Sequence, residues 1–104
     1  MFDFLKSIFS GGSSENLESV LLKKPFLVDV RTPTEFAQGH PKGSVNIPLD
    51  KIQNQIAKFQ GKEAIVVFCR SGNRSEQAKS ILEANGISEV VNGGTWKNVA
   101  GYTG

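Results

Sequence analysis

The segment IVVFCRSGNRSEQAKSILEANG, residues 65–86, contains the transition that decides the fold. It opens with four apolar, mostly β-branched residues, as in a strand that is buried on both faces of a parallel sheet. Its second half repeats apolar residues at helical spacing, at Ala78, Ile81 and Leu82. The only cysteine of the chain, Cys69, lies between the two patterns. The segment therefore predicts a buried strand, a short loop that begins at Cys69, and a helix.

The same alternation of strand and helix patterns extends through the rest of the chain. TPTEF places Thr32 as a helix N-cap, Pro33 at the first helical position and Glu35 three residues after the cap, which is a capping box. Asp50 is expected to cap a later helix, NGG at 92–94 to form a turn, and TWKNVA at 95–100 to add one last helical turn. The predicted strands are residues 25–31, 43–48, 65–68 and 87–91. This order predicts an α/β fold with a central, mostly parallel sheet of about five short strands and helices on both faces.

Composition and charge narrow the classes of function. Twelve basic and ten acidic residues give a net charge of +2, which is too small to indicate nucleic acid as a partner. No apolar stretch approaches the roughly 20 residues that a membrane-spanning helix needs. One cysteine and one histidine exclude a Cys/His zinc cluster and an intrachain disulfide, and we expect no metal and no cofactor. The N-terminus lacks the features of a signal peptide, so we expect a cytoplasmic protein, although a signal removed upstream of Met1 would leave no trace.

The chain divides into a short extension and one domain. Residues 1–13 hold a short apolar segment followed by a GGSS break, and they are interpreted as an N-terminal extension. The extension is either a frayed end or lid of the domain, or a docking patch for a partner or membrane surface. Residues 14–104 are expected to form the single folded domain.

The surroundings of Cys69 favour a reactive thiolate over a buried, inert cysteine. In open α/β sheets, ligands bind beyond the carboxyl ends of the strands, and Cys69 lies at such an end. The free N–H groups of the next helix, its dipole, and the charges of Arg70 and Arg74 all stabilise an anion. Gly72 permits the tight backbone turn that such a loop requires. We therefore expect the pKa of Cys69 to lie below its free value of about 8.5.

Three stretches of the chain carry a resemblance to the rhodanese family of sulfurtransferases. They are LVDVRTPTEFAQGHPKGSVNIPL near the front, the segment 65–86 in the middle, and VVNGGTW near the end. The resemblance implies a rhodanese-like three-layer fold, with Cys69 as the catalytic residue. It also implies that Cys69 takes a sulfur from a small anionic donor, such as thiosulfate, a persulfide or a polysulfide, and becomes a persulfide. The acceptor would be cyanide or a thiol, on a small molecule or a protein.

The resemblance also assigns roles around the cysteine. The persulfide-binding loop would be formed by Arg70, Ser71, Gly72, Asn73, Arg74 and Ser75. Family members that act on phosphate or arsenate have Cys-x5-Arg, whereas this chain has Cys-x4-Arg, the pattern of the sulfur-transferring members. Independently of the resemblance, Asp29 and Arg31 leave their strand at the same edge as Cys69, so we expect them to support the loop rather than to contact substrate. Glu35 is expected to support the loop by pairing with an arginine, although the capping box alone explains its presence. The alternative from another class is a non-turnover persulfide carrier or redox-sensing module that uses Cys69.

Overall fold

The computed structural model describes residues 17–103 of the chain. Within this range the chain forms four strands and four α-helices, and two short 3₁₀ helices separate the second strand from the third. The α-helices are α1 (17–21), α2 (Pro33–Ala37), α3 (Asn73–Ala84) and α4 (Trp96–Thr103). The strands are β1 (Phe26–Asp29), β2 (Val45–Asn46), β3 (Ile65–Cys69) and β4 (Val90–Thr95).

The strands form one sheet in the order β2-β1-β3-β4, and every neighbouring pair is parallel. The predicted α/β fold class is confirmed, with four strands in the described residues where about five were expected. Because the strands are parallel, their carboxyl ends meet at one edge of the sheet. Asp29 pairs with Phe68, and Cys69 pairs with Thr95, so the ends of β1, β3 and β4 lie side by side at that edge.

Two apolar clusters cover the two faces of the sheet, which gives the three-layer arrangement. On one face, Val28, Ile65 and Val67 pack with Ala78 and Leu82 of α3 and with the 3₁₀ region. The other face is covered by α1 and α4, and its cluster contains Leu17, Leu27, Val66, Phe68 and Val99. All five residues of β3 are buried, as the continuous apolar run at 65–68 predicts for a central strand.

The region after β2 differs from the predicted helix. Residues Leu49–Lys51 and Gln53–Phe59 are 3₁₀ helices, and the second is kinked at Gln55, where φ is −122°. The prediction that Asp50 caps this helix is wrong, because Pro48 is the N-cap residue and no side chain caps it. Ile52 and Phe59 are buried, as the apolar spacing predicts. The spacing therefore predicts which side chains face the core, but not the type of helix.

The NGG stretch is part of β4 and not the predicted turn. Val67 pairs with Asn92 and Phe68 pairs with Gly94, so Gly93 is the extra residue of a β-bulge. A Cβ atom at Gly93 would come within 2.9 Å of Val66 Cγ1, which explains the glycine. After the bulge, α4 extends over eight residues, longer than the single turn expected.

The proposed N-terminal extension lies outside the described residues. Every helix in residues 17–103 is too short or too polar to form a membrane span.

Candidate active site

Cys69 ends β3, and its sulfur lies against the start of α3. The Gly72 N–H donates a hydrogen bond to Cys69 Sγ at 2.9 Å, and the Ser75 hydroxyl lies 3.6 Å from the same atom. Gly72 is the N-cap residue of α3 with φ of +102°, a left-handed conformation that favours glycine. The turn predicted from the sequence therefore brings Gly72 and Ser75 onto the sulfur.

The site stabilises the thiolate form of Cys69. Burial of the sulfur acts to raise the pKa of Cys69. Hydrogen bonds from the Ser75 hydroxyl and from the backbone of Ser75, Gly72 and Ser71 outweigh this effect, so the pKa lies below that of a free cysteine. The direction agrees with the sequence-based expectation. The physical cause is the set of hydrogen bonds in the loop.

The two arginines of the loop have different surroundings. Arg74 donates from Nη1 to Glu35 Oε1 at 2.8 Å and from Nη2 to Glu35 Oε2 at 3.0 Å. Its positive charge is therefore compensated by a carboxylate of α2. Arg70 is exposed and forms no ion pair within residues 17–103. Of the two side chains, Arg70 is the one available to attract an anionic molecule.

Glu35 links the capping box of α2 to the loop. It accepts from Thr32 N at 3.0 Å while Thr32 Oγ1 accepts from Glu35 N at 3.2 Å, so the predicted capping box is confirmed. The hydrogen bond from Arg74, followed by that from the Thr32 backbone, lowers the pKa of Glu35 from 4.5 to about 2. One carboxylate thus stabilises α2 and fixes Arg74 at the beginning of α3.

This lowered pKa predicts a pH-dependent contribution to stability. A carboxyl with a lower pKa in the folded state stabilises the protein above its unfolded pKa, and this contribution disappears as the pH falls through the folded value. Glu35→Gln should therefore lower the free energy of unfolding by about 1 kcal/mol at neutral pH. The difference from wild type should be complete above pH 4.5 and vanish as the pH approaches about 2.

Urea denaturation at a series of pH values measures this difference. The matched control is Glu83→Gln, since Glu83 is exposed and lies in the last turn of α3. The control should differ little from wild type at any pH. A difference for Glu35→Gln that stays constant from neutral pH to the acid limit would show that the ion pair with Arg74 contributes nothing.

Asp29 and Arg31 form a buried ion pair beside the loop. Arg31 Nε lies 2.9 Å from both carboxylate oxygens of Asp29, and Arg31 Nη2 donates to Asp29 Oδ2 at 2.6 Å. The same Nη2 also donates to the Gly39 carbonyl, and the guanidinium lies 4.6 Å from the centre of the Trp96 ring. Among the described residues, the side chains of this pair bond to each other, to the backbone N–H of Arg31 and to the Gly39 carbonyl, and not to residues 70–75.

An open cleft lies next to the loop at the carboxyl edge of the sheet. It has a volume of about 570 Å³. Its lining includes Arg70, which follows Cys69 in the chain, and Thr95, which pairs with Cys69 across the sheet, whereas the fully buried Cys69 does not line it. The lining residues are Arg31, Glu35, Gln38, Arg70, Thr95, Trp96 and Lys97. Within residues 17–103, no group of three or more His, Cys, Asp or Glu side chains is arranged to hold a metal ion.

Several residues near the site were not predicted from the sequence. Trp96, Gln38, Thr95 and Lys97 line the cleft, and Asn92 of β4 bonds to both Gly72 and Ser75. Asn92 lies in the paired part of β4, which an interpretation of residues 92–94 as a turn does not contain. The available signal was the polar Asn92 directly after Val90 and Val91, at a position where a buried strand favours an apolar side chain.

Comparison with known proteins gives a consistent result. A model of the rhodanese-like domain family matches residues 14–99. The chain is 37% identical over 75 residues to the thiosulfate sulfurtransferase PspE of Escherichia coli. The aligned residues cover 70% of this chain and 72% of that protein. It is 38% identical over 66 residues to a sulfurtransferase of Allochromatium vinosum, covering 64% of this chain and 62% of that protein. The chain thus spans less than two thirds of the second relative.

Solved structures show the same fold. One described as rhodanese with anions from E. coli superposes with a TM-score of 0.67 at 36% identity, over 72% of this chain and 91% of that one. The human single-domain sulfurtransferase TSTD1 gives a TM-score of 0.68 at 28% identity, over 82% of this chain and 89% of the other.

Proposed function

The chain belongs to the rhodanese family, and we propose that it is a sulfurtransferase in which Cys69 carries the transferred sulfur as a persulfide. The observation that carries the proposal is the 2.9 Å hydrogen bond from the Gly72 N–H to the cysteine sulfur at the beginning of α3. A thiolate is the nucleophilic form of cysteine, and this contact stabilises it.

In the first step, the Cys69 thiolate attacks the outer sulfur of a donor such as thiosulfate. A bond forms between Cys69 Sγ and that sulfur, the sulfur–sulfur bond of the donor breaks, and sulfite leaves with the bonding electron pair. The product is an anionic persulfide on Cys69. The backbone N–H groups that lower the thiol pKa also face this anion, as donors do in an oxyanion hole.

In the second step, an acceptor thiolate or cyanide attacks the outer sulfur of the persulfide. The sulfur–sulfur bond breaks, the acceptor leaves with the sulfur, and the Cys69 thiolate is restored. No proton transfer by a histidine is required, because the attacking group and the leaving group of each step are already anions.

The charges around the site suit an anionic donor. Arg70 lines the cleft and forms no ion pair in the described part of the chain. It would attract a donor such as thiosulfate while Arg74, bound to Glu35, holds the loop in shape. The relative from E. coli is named a thiosulfate sulfurtransferase, which supports the choice of thiosulfate as the first donor to test.

Intact-protein mass spectrometry after incubation with thiosulfate tests the proposal. We expect the mass to increase by one sulfur atom, and a reducing thiol or cyanide to remove that sulfur. A protein that gains no sulfur from thiosulfate, polysulfide or a small persulfide would overturn the proposal. A protein that gains sulfur but releases none to cyanide or to thiols would be a carrier and not an enzyme with free turnover.

A further inference from the structure

The side-chain amide of Asn92 lies at the centre of a hydrogen-bond network under the cysteine loop. Its Oδ1 accepts from Ser75 Oγ at 2.7 Å and from Gly94 N at 2.9 Å. Its Nδ2 donates to the Gly72 carbonyl at 3.1 Å and to Glu76 Oε1 at 3.0 Å. Every contact has a donor matched to an acceptor, so the orientation of the amide is determined by its four partners.

These contacts affect the two groups that reach the cysteine sulfur. Asn92 holds the carbonyl of Gly72, and the N–H of that same residue donates to Cys69 Sγ. Asn92 also holds the hydroxyl of Ser75, which is fully buried and lies 3.6 Å from the sulfur. Asn92 itself lies on β4, one strand away from Cys69, and it does not touch the sulfur in the described contacts.

The Ser75 hydroxyl has a single proton, and the network determines which atoms can accept a hydrogen bond from it. Its two oxygen acceptors are the Gly72 carbonyl at 3.0 Å and Asn92 Oδ1. Both have other donors, since Glu76 N also bonds to the carbonyl and Gly94 N bonds to Oδ1. The proton can therefore turn toward the sulfur without leaving a buried acceptor unpaired. When the sulfur is protonated, the thiol can donate to Ser75 Oγ while the hydroxyl donates to Asn92.

We propose that Asn92 is a positioning residue of the site, which holds Gly72 in the backbone conformation that directs its N–H at an anionic sulfur on Cys69. This inference rests on the proposed sulfur transfer, because the same N–H would face the persulfide. Asn92 acts on the sulfur through Gly72, whereas the Ser75 hydroxyl can donate to the sulfur only when it does not donate to Asn92.

Charged groups lie on the elements around the sulfur. On the loop and α3 these are Arg70, Arg74 with its partner Glu35, and Glu76, and at the end of β1 they are Asp29 and Arg31. Replacing Asn92 by a neutral residue leaves all these charges in the protein. A shift in the ionisation of Cys69 would then come from the lost hydrogen bonds.

The experiment follows the ultraviolet absorbance of the thiolate as a function of pH. Cys69 is the only cysteine, so the signal has one source, and Cys69→Ser supplies the blank. We expect the midpoint of Asn92→Ala to move to higher pH. At a pH below both midpoints, the thiolate fraction and the rate of sulfur uptake from thiosulfate should fall about three- to tenfold. Above both midpoints, the two rates should converge, which a purely structural defect would not produce.

Asn92→Leu, which fills the space of the amide without polar atoms, is the second variant in case the alanine protein does not fold. Asn85→Ala is the matched control, since the Asn85 amide bonds Gln53 and the Ile81 carbonyl at the opposite end of α3. It should keep the wild-type midpoint. An unchanged midpoint in folded Asn92 variants would overturn the inference. The titration uses no sulfur donor, so a wild-type protein that takes up no sulfur would instead overturn the proposed function.

Discussion

Cys69→Ser is expected to abolish sulfur uptake from thiosulfate and the formation of thiocyanate from cyanide. A serine hydroxyl is far less nucleophilic than a thiolate. The proposed mechanism uses no general base, so no group is assigned to remove the proton of a serine at this position. Activity should fall at least about a thousandfold, to the level of the uncatalysed reaction. Thiocyanate assays and intact-protein mass spectrometry measure the two effects separately.

The serine protein should remain folded, which separates loss of the nucleophile from loss of structure. The Gly72 N–H that donates to the sulfur can donate to a serine oxygen in the same place. Ser80→Ala provides a control on the exposed side of α3 and should retain full activity. Sulfur uptake that persists in folded Cys69→Ser would contradict the assignment, because no other cysteine is present to accept sulfur.

The local features of the site could be predicted from the sequence. The capping box at Thr32 and Glu35 depends on a spacing of three residues, and the loop after Cys69 depends on a strand pattern next to a helix pattern. The pairing of Glu35 with Arg74 joins residues that are 39 positions apart. Its geometry depends on the packing of α2 against the loop, which no local pattern contains.

The errors in β4 have a physical reason. Asparagine and glycine favour turns because they tolerate left-handed backbone conformations, so NGG at 92–94 resembles a turn. Gly94 does have a φ of +80°, but it lies in a bulge within a paired strand. In a strand interior, glycine also marks a close approach of other atoms, as at Gly93 beside Val66. The close approach of Gly93 to Val66 is a long-range contact, and it shows that these glycines belong to a strand. The same pairing of β4 with β3 places Asn92 next to the loop.

The second large effect is expected from Asp29→Ala, which removes one partner of the buried ion pair. Asp29 is fully buried and Arg31 is 4% exposed, so the variant leaves a guanidinium in the protein interior without its carboxylate. We expect the free energy of unfolding to fall by about 3–5 kcal/mol. Since a domain of this kind is stable by about 5–15 kcal/mol, the variant would lose a large part of its stability. Urea denaturation measures the change.

A double-mutant cycle with Arg31 shows whether this loss comes from the unpaired charge. Replacing both residues, as in Asp29→Leu with Arg31→Met, removes the buried charges together, and apolar replacement of a buried ion pair is often close to neutral. The double variant should therefore be more stable than the summed effects of the single variants Asp29→Leu and Arg31→Met predict, with a coupling of at least about 1 kcal/mol, although it loses the bond to Gly39 and the contact with Trp96. Glu35→Ala breaks a more exposed pair for comparison, because the side chains of Arg74 and Glu35 are 32% and 27% exposed. The free energy of unfolding of this variant should fall by only about 1 kcal/mol. If the effects of the two substitutions simply add, the two charges do not stabilise each other, and the pair stabilises the edge of the sheet only through packing.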